Sequence, residues 1–303
     1  MLDLDSFAVD YTDLDLLSPI RKYAFVFVCQ AGRLEMQSLL LAASLKRFLC
    51  CDHELIAAVP LPVSAMGAPS AESLQVLHDL GVRIVYIQNK FCSSEGTPDI
   101  ADLYANKILC LAVPTDADKL IFLDSDVMFF REFHEAKRYR LPFNAKLVGM
   151  AGVPTTINKW GELYRLVDLP LPLVRYRVIG NEEGYPRQAF VPPYFNSGFV
   201  AIHGRFAPEL SRVWGEYYLR VRDSKLLDVP FLAEQVSLSL ALSGVGLVFD
   251  VMTVTDFSSY HYHRLENLQS NSELLAVAYQ LIRSNAGLRR VLRRDSDWRS
   301  LTN

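Results

Sequence analysis

Apolar and polar positions alternate in a regular way along the first 133 residues. Residues 23–29 read YAFVFVC, a continuous apolar run that is typical of a strand covered on both faces. A turn at Gly32 follows, and apolar residues then recur at helical spacing over residues 34–48. Strand-length runs return at 55–59, 82–87 and 120–123, with helical patterns at 71–80 and 100–113 between them. This alternation predicts an α/β fold with a mostly parallel central sheet flanked by helices.

The rest of the chain has a weaker pattern. It predicts strands over 196–202 and 246–251, helices over 207–222 and 232–242, and one or two helices over 272–294. Prolines cluster within residues 169–193, which predicts a long loop of the kind that forms lids or binding sites. We therefore expect an acidic leader (1–20), a single domain (21–268) and a basic helical tail (269–303).

Composition and charge narrow the choice of partners. The chain has 303 residues, half of them apolar, and a net charge of −3, which is ordinary for a globular protein. It has no overall basic excess, so nucleic acid is not expected as a partner. The five cysteines lack zinc-site spacing, no apolar run reaches the length of a membrane span, and the N-terminal residues lack a signal-peptide pattern. Together these features predict a cytoplasmic protein.

The strongest local motif is LIFLDSDV at residues 120–127. Asp124 and Asp126 follow a predicted buried strand, and in such sheets ligands bind beyond the carboxyl ends of the strands. Two carboxylates at positions i and i+2 of an extended segment point to the same side. Mn²⁺ or Mg²⁺ takes such oxygen ligands and shares them with substrate phosphates. The motif therefore predicts a metal–diphosphate site, the alternative being that Asp124 only caps a turn.

Five segments in order resemble the family 8 retaining glycosyltransferases, which include glycogenin and bacterial lipopolysaccharide galactosyltransferases. They are the opening strand, turn and helix (FVFVCQAGRLEMQSLLLAASLKRF), the basic residue and D-x-D strand (LYANKILCLAVPTDADKLIFLDSDV), an N-S-G strand (YFNSGFVAI), an acidic-Gln helix (AEQVSLSLAL) and a late histidine (YHYHR). The resemblance runs from about residue 23 to 267. It implies a GT-A fold, with a nucleotide-binding half at 21–133 and an acceptor half at 134–268.

The resemblance also implies an activity. A sugar would move from a nucleotide diphosphate sugar, usually a UDP-sugar, to a glycan, lipid-linked or protein acceptor, with Mn²⁺ as cofactor and retention at the anomeric carbon. Asp124, Asp126 and His261 match the metal ligands, and His263 is a rival of His261 for the same role. The matching donor-binding positions are Gln30, Gly32, Arg33, Lys107, Asp124 and Ser125.

Three further positions match residues around the donor sugar. Asn196 would hydrogen-bond sugar hydroxyls, Glu234 would do the same, and Gln235 would lie near the anomeric carbon. Since neither Glu234 nor Gln235 is an obvious nucleophile, the resemblance implies front-face retention. If the reaction instead inverted, Glu234 would be the natural general base.

The chain also departs from the family. The late histidine is normally followed by a glycine and a Lys-Pro-Trp segment that closes over the diphosphate, and both are missing here. Arg264 is the cation available to replace that segment, because its planar fork suits phosphate.

Other readings stay open. The departure favours, as the first alternative, a non-catalytic relative that binds a nucleotide sugar; a nucleotidyltransferase or a haloacid-dehalogenase-type phosphatase comes after it. The tail interleaves arginines with apolar residues, which predicts either a peripheral membrane contact or a surface helix with solvated arginines.

Overall fold

The computed structural model describes residues 20–92, 99–133, 141–148, 156–179, 188–252 and 258–302. The predicted leader thus falls outside the described residues except for Ile20. The strands are β1 (Tyr23–Val28), β2 (His53–Leu61), β3 (Val82–Gln88), β4 (Lys119–Leu123), β5 (Val127–Phe129), β6 (Phe143–Leu147), β7 (Tyr176–Ile179), β8 (Gln188–Val191), β9 (Phe195–His203), β10 (Phe249–Val251) and β11 (Ser259–His261).

Helices cover both faces of the sheet. They are α1 (Arg33–Phe48), α2 (Val63–Met66), α3 (Ala71–Asp79), α4 (Ile100–Tyr104), α5 (Asn106–Cys110), α6 (Ile157–Leu166), α7 (Ala207–Ser224), α8 (Ala233–Val245), α9 (Leu265–Ser270), α10 (Ser272–Ser284) and α11 (Ala286–Leu292).

Within the described residues, the central sheet has seven strands in the order β10-β6-β9-β4-β1-β2-β3. The pairs β1–β2, β1–β4, β2–β3 and β6–β10 are parallel, whereas β9 runs antiparallel to both β4 and β6. The predicted α/β class with a mostly parallel sheet is confirmed. Because β9 is antiparallel to β4, the start of β9 lies beside the end of β4, where the D-x-D motif follows.

Two apolar cores lie on opposite faces of the sheet. In β1, the alternate residues Ala24, Val26 and Val28 belong to one core with α5, α6, α7 and α8. The intervening Tyr23, Phe25 and Phe27 belong to the other core with α1, α3, α10 and α11. All six residues of β1 are buried, which is why this strand reads as a continuous apolar run.

The single helix predicted over 100–113 is wrong in detail, because the structure ends α4 at Tyr104 and begins α5 at Asn106. Asn89 explains part of the break: its side-chain amide donates to the Asp102 carbonyl at 3.0 Å and to the Asn106 side-chain oxygen at 2.8 Å. In a continuous helix the Asp102 carbonyl would accept from the backbone of residue 106 instead.

The long loop predicted over 169–193 is also wrong in part. Strands β7 and β8 pair antiparallel within it, with Tyr176 opposite Val191. Along β8, exposed and buried residues alternate, as expected for a strand with one solvated face. Clustered prolines hid this short pattern, and residues 180–187 of the predicted loop lie outside the described residues.

The tail forms α10 and α11, as the helical pattern predicts. The apolar residues that are interleaved with its arginines are buried in the core with α1 and α3; they are Leu281, Ile282, Leu288, Val291, Leu292 and Trp298. The tail arginines Arg283, Arg289, Arg290, Arg293, Arg294 and Arg299 are exposed, and a peripheral membrane contact through them stays a prediction. No helix among the described residues combines the length and the apolar character needed to cross a membrane.

Candidate active site

The site forms where β4 ends and β5 begins. Strand β11 pairs antiparallel with β5, with His261 opposite Val127. The backbone N–H of Tyr262 donates to the carbonyl of Asp126 at 3.0 Å. This pairing carries the late histidine segment to the D-x-D motif across more than 130 residues of sequence.

Asp126, His261 and His263 form a group whose ligand atoms all lie within 4.8 Å of one another. The His261 Nε2 and Asp126 Oδ1 atoms are 2.8 Å apart, and the two imidazole rings lie 3.9 Å apart between centroids. His263 has a φ of 58°, in the left-handed region that non-glycine residues rarely adopt. Carboxylate oxygens suit Mn²⁺ and Mg²⁺, and imidazole nitrogens suit transition-metal ions, so this set of one carboxylate and two imidazoles fits a divalent transition metal.

The side chains of this group shift one another's pKa values. Burial raises the pKa of Asp126, but the hydrogen bond and charge of His261 outweigh it and leave this pKa below its usual value. Burial lowers the pKa of His261, yet Asp126 and Asp124 raise it above its usual value overall. The pKa of His263 is lowered by burial and by neighbouring His261. A cation would therefore compete with a proton for His261.

Asp124 lies between the metal group and Lys107. The Lys107 ammonium is 2.9 Å from Asp124 Oδ1 and 3.3 Å from Glu234 Oε1, and the His261 Nε2 is 3.7 Å from Asp124 Oδ2. Burial lowers the pKa of Lys107, but the charges of Asp124 and Glu234 outweigh it, so this lysine stays charged. Lys107 is thus a buried cation shared by two carboxylates.

Glu234 and Gln235, in the first turn of α8, both contact Ser197, and Glu234 also contacts Lys107. Ser197 donates its hydroxyl to Glu234 Oε1 at 2.6 Å and its backbone N–H to Gln235 Oε1 at 3.4 Å. Gln235 Nε2 donates to the Tyr194 hydroxyl at 2.9 Å. Burial raises the pKa of Glu234. Its Oε2 is buried, and no described residue hydrogen-bonds to it, and Glu234 is not among the residues that line the pocket described below.

Gly198 allows the closest approach in the site. A Cβ at this position would lie 2.5 Å from Asp124 Oδ2, 2.8 Å from His261 Cε1 and 2.9 Å from Asn196 Oδ1. Asn196 Oδ1 accepts from the Gly198 N–H at 2.8 Å, and the Gly198 carbonyl accepts from the Asp124 N–H at 2.8 Å. The N-S-G segment therefore packs its backbone against the D-x-D motif, and only a residue without a side chain fits there.

A pocket of about 260 Å³ opens beside these residues. Four of the predicted donor-binding residues line it, namely Arg33, Lys107, Asp124 and Ser125, together with Asp126. The rest of its wall is largely apolar and consists of Val28, Leu34, Ile100, Leu103, Tyr104 and Phe122. Charged groups at one part of an apolar pocket are typical of a small-molecule site.

The remaining predicted residues have other positions. Gln30 donates its side-chain amide to the Met66 carbonyl at 2.6 Å, and Gly32 precedes α1 with a φ of 80°. Ser125 donates its hydroxyl to the Val28 carbonyl at 2.6 Å, so this side chain holds the D-x-D turn against β1. Arg264 is exposed at the start of α9 and, like Gln30 and Gly32, is not among the residues that line the pocket.

Several residues that contact the candidate site were not predicted from the sequence. Ser197 lies in the middle of the N-S-G segment, yet its contact with Glu234 depends on how β9 meets α8. Tyr194 and Tyr104 stand in segments quoted for other residues, and no sequence signal marks them. Their roles depend on packing between distant parts of the chain.

Comparisons with known proteins indicate the family to which the chain belongs. The profile of the Rhodobacterales glycosyltransferase domain matches residues 25–246, about three quarters of the chain. No curated protein matches the sequence. Among solved structures, the apo form of mouse xyloside xylosyltransferase 1 is similar, with 13% identity and a TM-score of 0.44 over 77% of this chain and 86% of that one. On the strength of the family match, this chain belongs to the Rhodobacterales glycosyltransferase domain family and is a glycosyltransferase.

Proposed function

We propose that the chain transfers a hexose from a nucleotide diphosphate sugar, in particular a UDP-sugar, to a glycan acceptor in a metal-dependent, retaining reaction of the family 8 type with a GT-A fold. The observation that carries this proposal is the juxtaposition of two groups. Lys107 lies between Asp124 and Glu234, and the Asp126–His261–His263 group lies directly beside Asp124.

Asp126 and His261, with Asp124 and His263 adjacent, would hold a divalent cation, Mn²⁺ or Mg²⁺. The two imidazoles favour Mn²⁺, since Mg²⁺ prefers an all-oxygen shell. Bound there, the cation would neutralise negative charge on the departing diphosphate. Lys107 supplies a fixed positive charge in the same place, because its pKa is raised by the carboxylates around it.

The donor sugar would lie against Glu234 and Gln235. Glu234 Oε1 contacts Ser197 and Lys107, whereas Oε2 is buried without a hydrogen-bond partner among the described residues and would accept a hydrogen bond from a sugar hydroxyl once the bound donor reaches it. Gln235 has an uncharged amide held by Ser197 and Tyr194, so it is suited to orient the sugar rather than to attack it.

This arrangement supports front-face retention. The acceptor hydroxyl oxygen bonds to the anomeric carbon as the bond from that carbon to the phosphate oxygen breaks. The electron pair leaves with the nucleoside diphosphate, and a phosphate oxygen takes the hydroxyl proton. The chain's own residues hold the reactants in position and stabilise charge, which are the main sources of catalysis in such transfers.

A donor panel tests the proposal. UDP-, GDP- and other nucleotide sugars are incubated with the protein and Mn²⁺, and nucleoside diphosphate release is followed with and without EDTA. We expect slow, metal-dependent release from one donor even without acceptor. Tight donor binding with no release in any condition, including an acceptor panel, would instead support a non-catalytic nucleotide-sugar-binding relative.

A further inference from the structure

Two exposed aromatic rings stack on each other, and one of them, Tyr104, lines the pocket. Tyr104, the last residue of α4, and Phe231 in the short 3-10 helix Pro230–Leu232 have ring centroids 5.8 Å apart and planes 28° apart. They are 37% and 40% exposed, and neighbouring Ile100 is 55% exposed. We call these three side chains the aromatic platform.

The aromatic platform lies next to the reacting groups. Tyr104 and Ile100 line the pocket that also contains Lys107 and Asp124. The Lys107 ammonium is 5.2 Å from the centroid of the Tyr104 ring. On the other side, Phe231 comes three residues before Glu234, whose carboxylate contacts the same ammonium. Tyr104 thus lies at the end of α4, close to Lys107, and Phe231 lies directly before α8, which carries Glu234.

A pyranose ring has the chemistry that matches this surface. One face of a hexose presents C–H groups that pack on an aromatic ring, while its hydroxyls project sideways to polar groups. Exposed apolar surface beside a pocket of charged residues commonly marks a ligand site. Aromatic side chains contribute large contact area with little loss of conformational entropy.

The position distinguishes an acceptor sugar from the parts of the donor. In the proposed function the donor sugar lies over Glu234 and Gln235, which are buried. The pocket residues matched to the donor nucleotide, Arg33 and Ser125, come from the start of α1 and from the D-x-D turn, whereas the platform comes from α4 and the short 3-10 helix. The platform is beside Lys107 but open to solvent, where a second substrate can arrive after the donor is bound.

We propose that the aromatic platform of Ile100, Tyr104 and Phe231 is the subsite for a pyranose ring of a saccharide acceptor. This inference rests on the proposed function for its choice of acceptor over donor. The proposal specifies that the acceptor unit to which the new sugar is attached is itself a sugar. It does not depend on what that acceptor sugar is attached to.

Saturation-transfer NMR with a panel of methyl hexopyranosides and their disaccharides tests the subsite without turnover. The full chain is studied with Mn²⁺ and the nucleoside diphosphate of the preferred donor. We expect Phe231→Ala to weaken saccharide binding by about tenfold, which corresponds to the loss of one aromatic contact. Phe231→Trp is expected to keep the binding, and Phe190→Ala, which removes an exposed aromatic ring from β8, serves as the matched control.

Donor hydrolysis measured on the same proteins separates this inference from the proposed function. Wild-type protein that releases no nucleotide from any donor, with or without the acceptor panel, contradicts the proposed function. The platform proposal is overturned if wild-type protein binds none of the saccharides, or if Phe231→Ala binds them as wild type does. The expected pattern is unchanged acceptor-independent hydrolysis in Phe231→Ala together with weakened saccharide binding. Tyr104→Ala serves as a second variant, expected to weaken saccharide binding in the same way.

Discussion

At the residue scale, Gly198 shows how tightly the site is built. Its missing side chain lets β9 contact the D-x-D motif, and its own backbone bonds to both Asn196 and Asp124. Three polar or ring atoms would lie within 3 Å of a Cβ at this position. The sequence predicts an N-S-G strand here, but it does not reveal which side chains lie where a Cβ of residue 198 would be.

Gly198→Ala is expected to reduce donor turnover by about tenfold or more, because Asp124 and His261 must move to make room and the positions of charges set the barrier. Nucleotide release under saturating Mn²⁺ measures it. Gly161→Ala in α6, where an added Cβ meets nothing within 4 Å, is the matched control. Equal activity of the two variants would contradict the packing described for Gly198.

Lys119 is a second residue that the sequence does not mark. It is completely buried at the start of β4, and its Nζ donates to the Leu141 carbonyl at 2.6 Å and to the Asn144 side-chain oxygen at 2.9 Å. Burial lowers the pKa of Lys119 from 10.5 to about 7. A lysine at the first position of an apolar strand ordinarily indicates that this end of the strand is exposed to solvent. The burial of Lys119 could therefore not be predicted from the sequence.

The free energy of unfolding should rise with pH because of Lys119. Between about pH 7 and 10.5 the unfolded chain binds a proton that the folded chain does not, so this residue adds a positive slope of up to about 1.4 kcal/mol per pH unit. Urea unfolding of wild type and Lys119→Met at pH 7, 8 and 9 measures it. The same slope in both proteins would contradict a neutral buried lysine.

At the element scale, short strands and helix ends position the site. The pairing of β5 with β11 brings His261 to Asp126, and each strand has only three residues. Such short segments carry little periodic signal, and their partner lies far along the chain. Helix α1 was predictable because its apolar pattern extends over sixteen residues, and β4 because it is a continuous apolar run, whereas this pairing and the break between α4 and α5 depend on tertiary contacts.

Helix α4, which carries Tyr104, is held to α7 by a polar network. Arg222 donates to Asp102 Oδ1 and to the Phe91 carbonyl, both at 3.0 Å, and the Tyr218 hydroxyl donates to Asp102 Oδ1 at 3.1 Å. These hydrogen bonds join α7 to α4 and to Phe91, which lies in the segment that follows β3. The network therefore fixes one wall of the pocket.

Arg222→Gln is expected to lower the free energy of unfolding by about 1–3 kcal/mol, since Asp102 loses a charged partner in a largely buried place. Chemical denaturation measures it. Arg212→Gln on the same helix breaks exposed pairs with Glu209 and Glu216 and should change stability by about 0.5 kcal/mol or less. If both variants lose the same stability, the network does not have the role described.

At the scale of the whole molecule, both faces of the sheet are covered, and the tail forms part of one cover. The approximate boundaries of the main strands were predictable from the hydrophobic pattern. The direction of β9, the β7–β8 pair and the buried side of the tail were not, because each depends on which distant surfaces meet.

Removing residues 272–303 should abolish cooperative folding. The deletion takes away buried Leu281, Ile282, Leu288, Leu292 and Trp298. Burial of each contributes about 1.5–3 kcal/mol, and the sum rivals the total stability of about 5–15 kcal/mol for a typical domain. Thermal melting followed by circular dichroism measures the effect.

The control for this deletion is the pair of substitutions Arg289→Gln and Arg290→Gln, which alter exposed tail residues and should leave the melting temperature nearly unchanged. A truncated protein that melts cooperatively at the wild-type temperature would show that the tail is an appendage and not part of the core.

The most direct test of the account as a whole is nucleoside diphosphate release from the preferred donor, titrated with Mn²⁺, in wild type, Asp126→Asn and His78→Asn. The account predicts saturable, Mn²⁺-dependent release in wild type and in His78→Asn, whose side chain is exposed on α3, and a loss of about a hundredfold or more in Asp126→Asn. Release by Asp126→Asn at the wild-type rate and Mn²⁺ dependence would contradict the claim that this carboxylate belongs to the metal–diphosphate site.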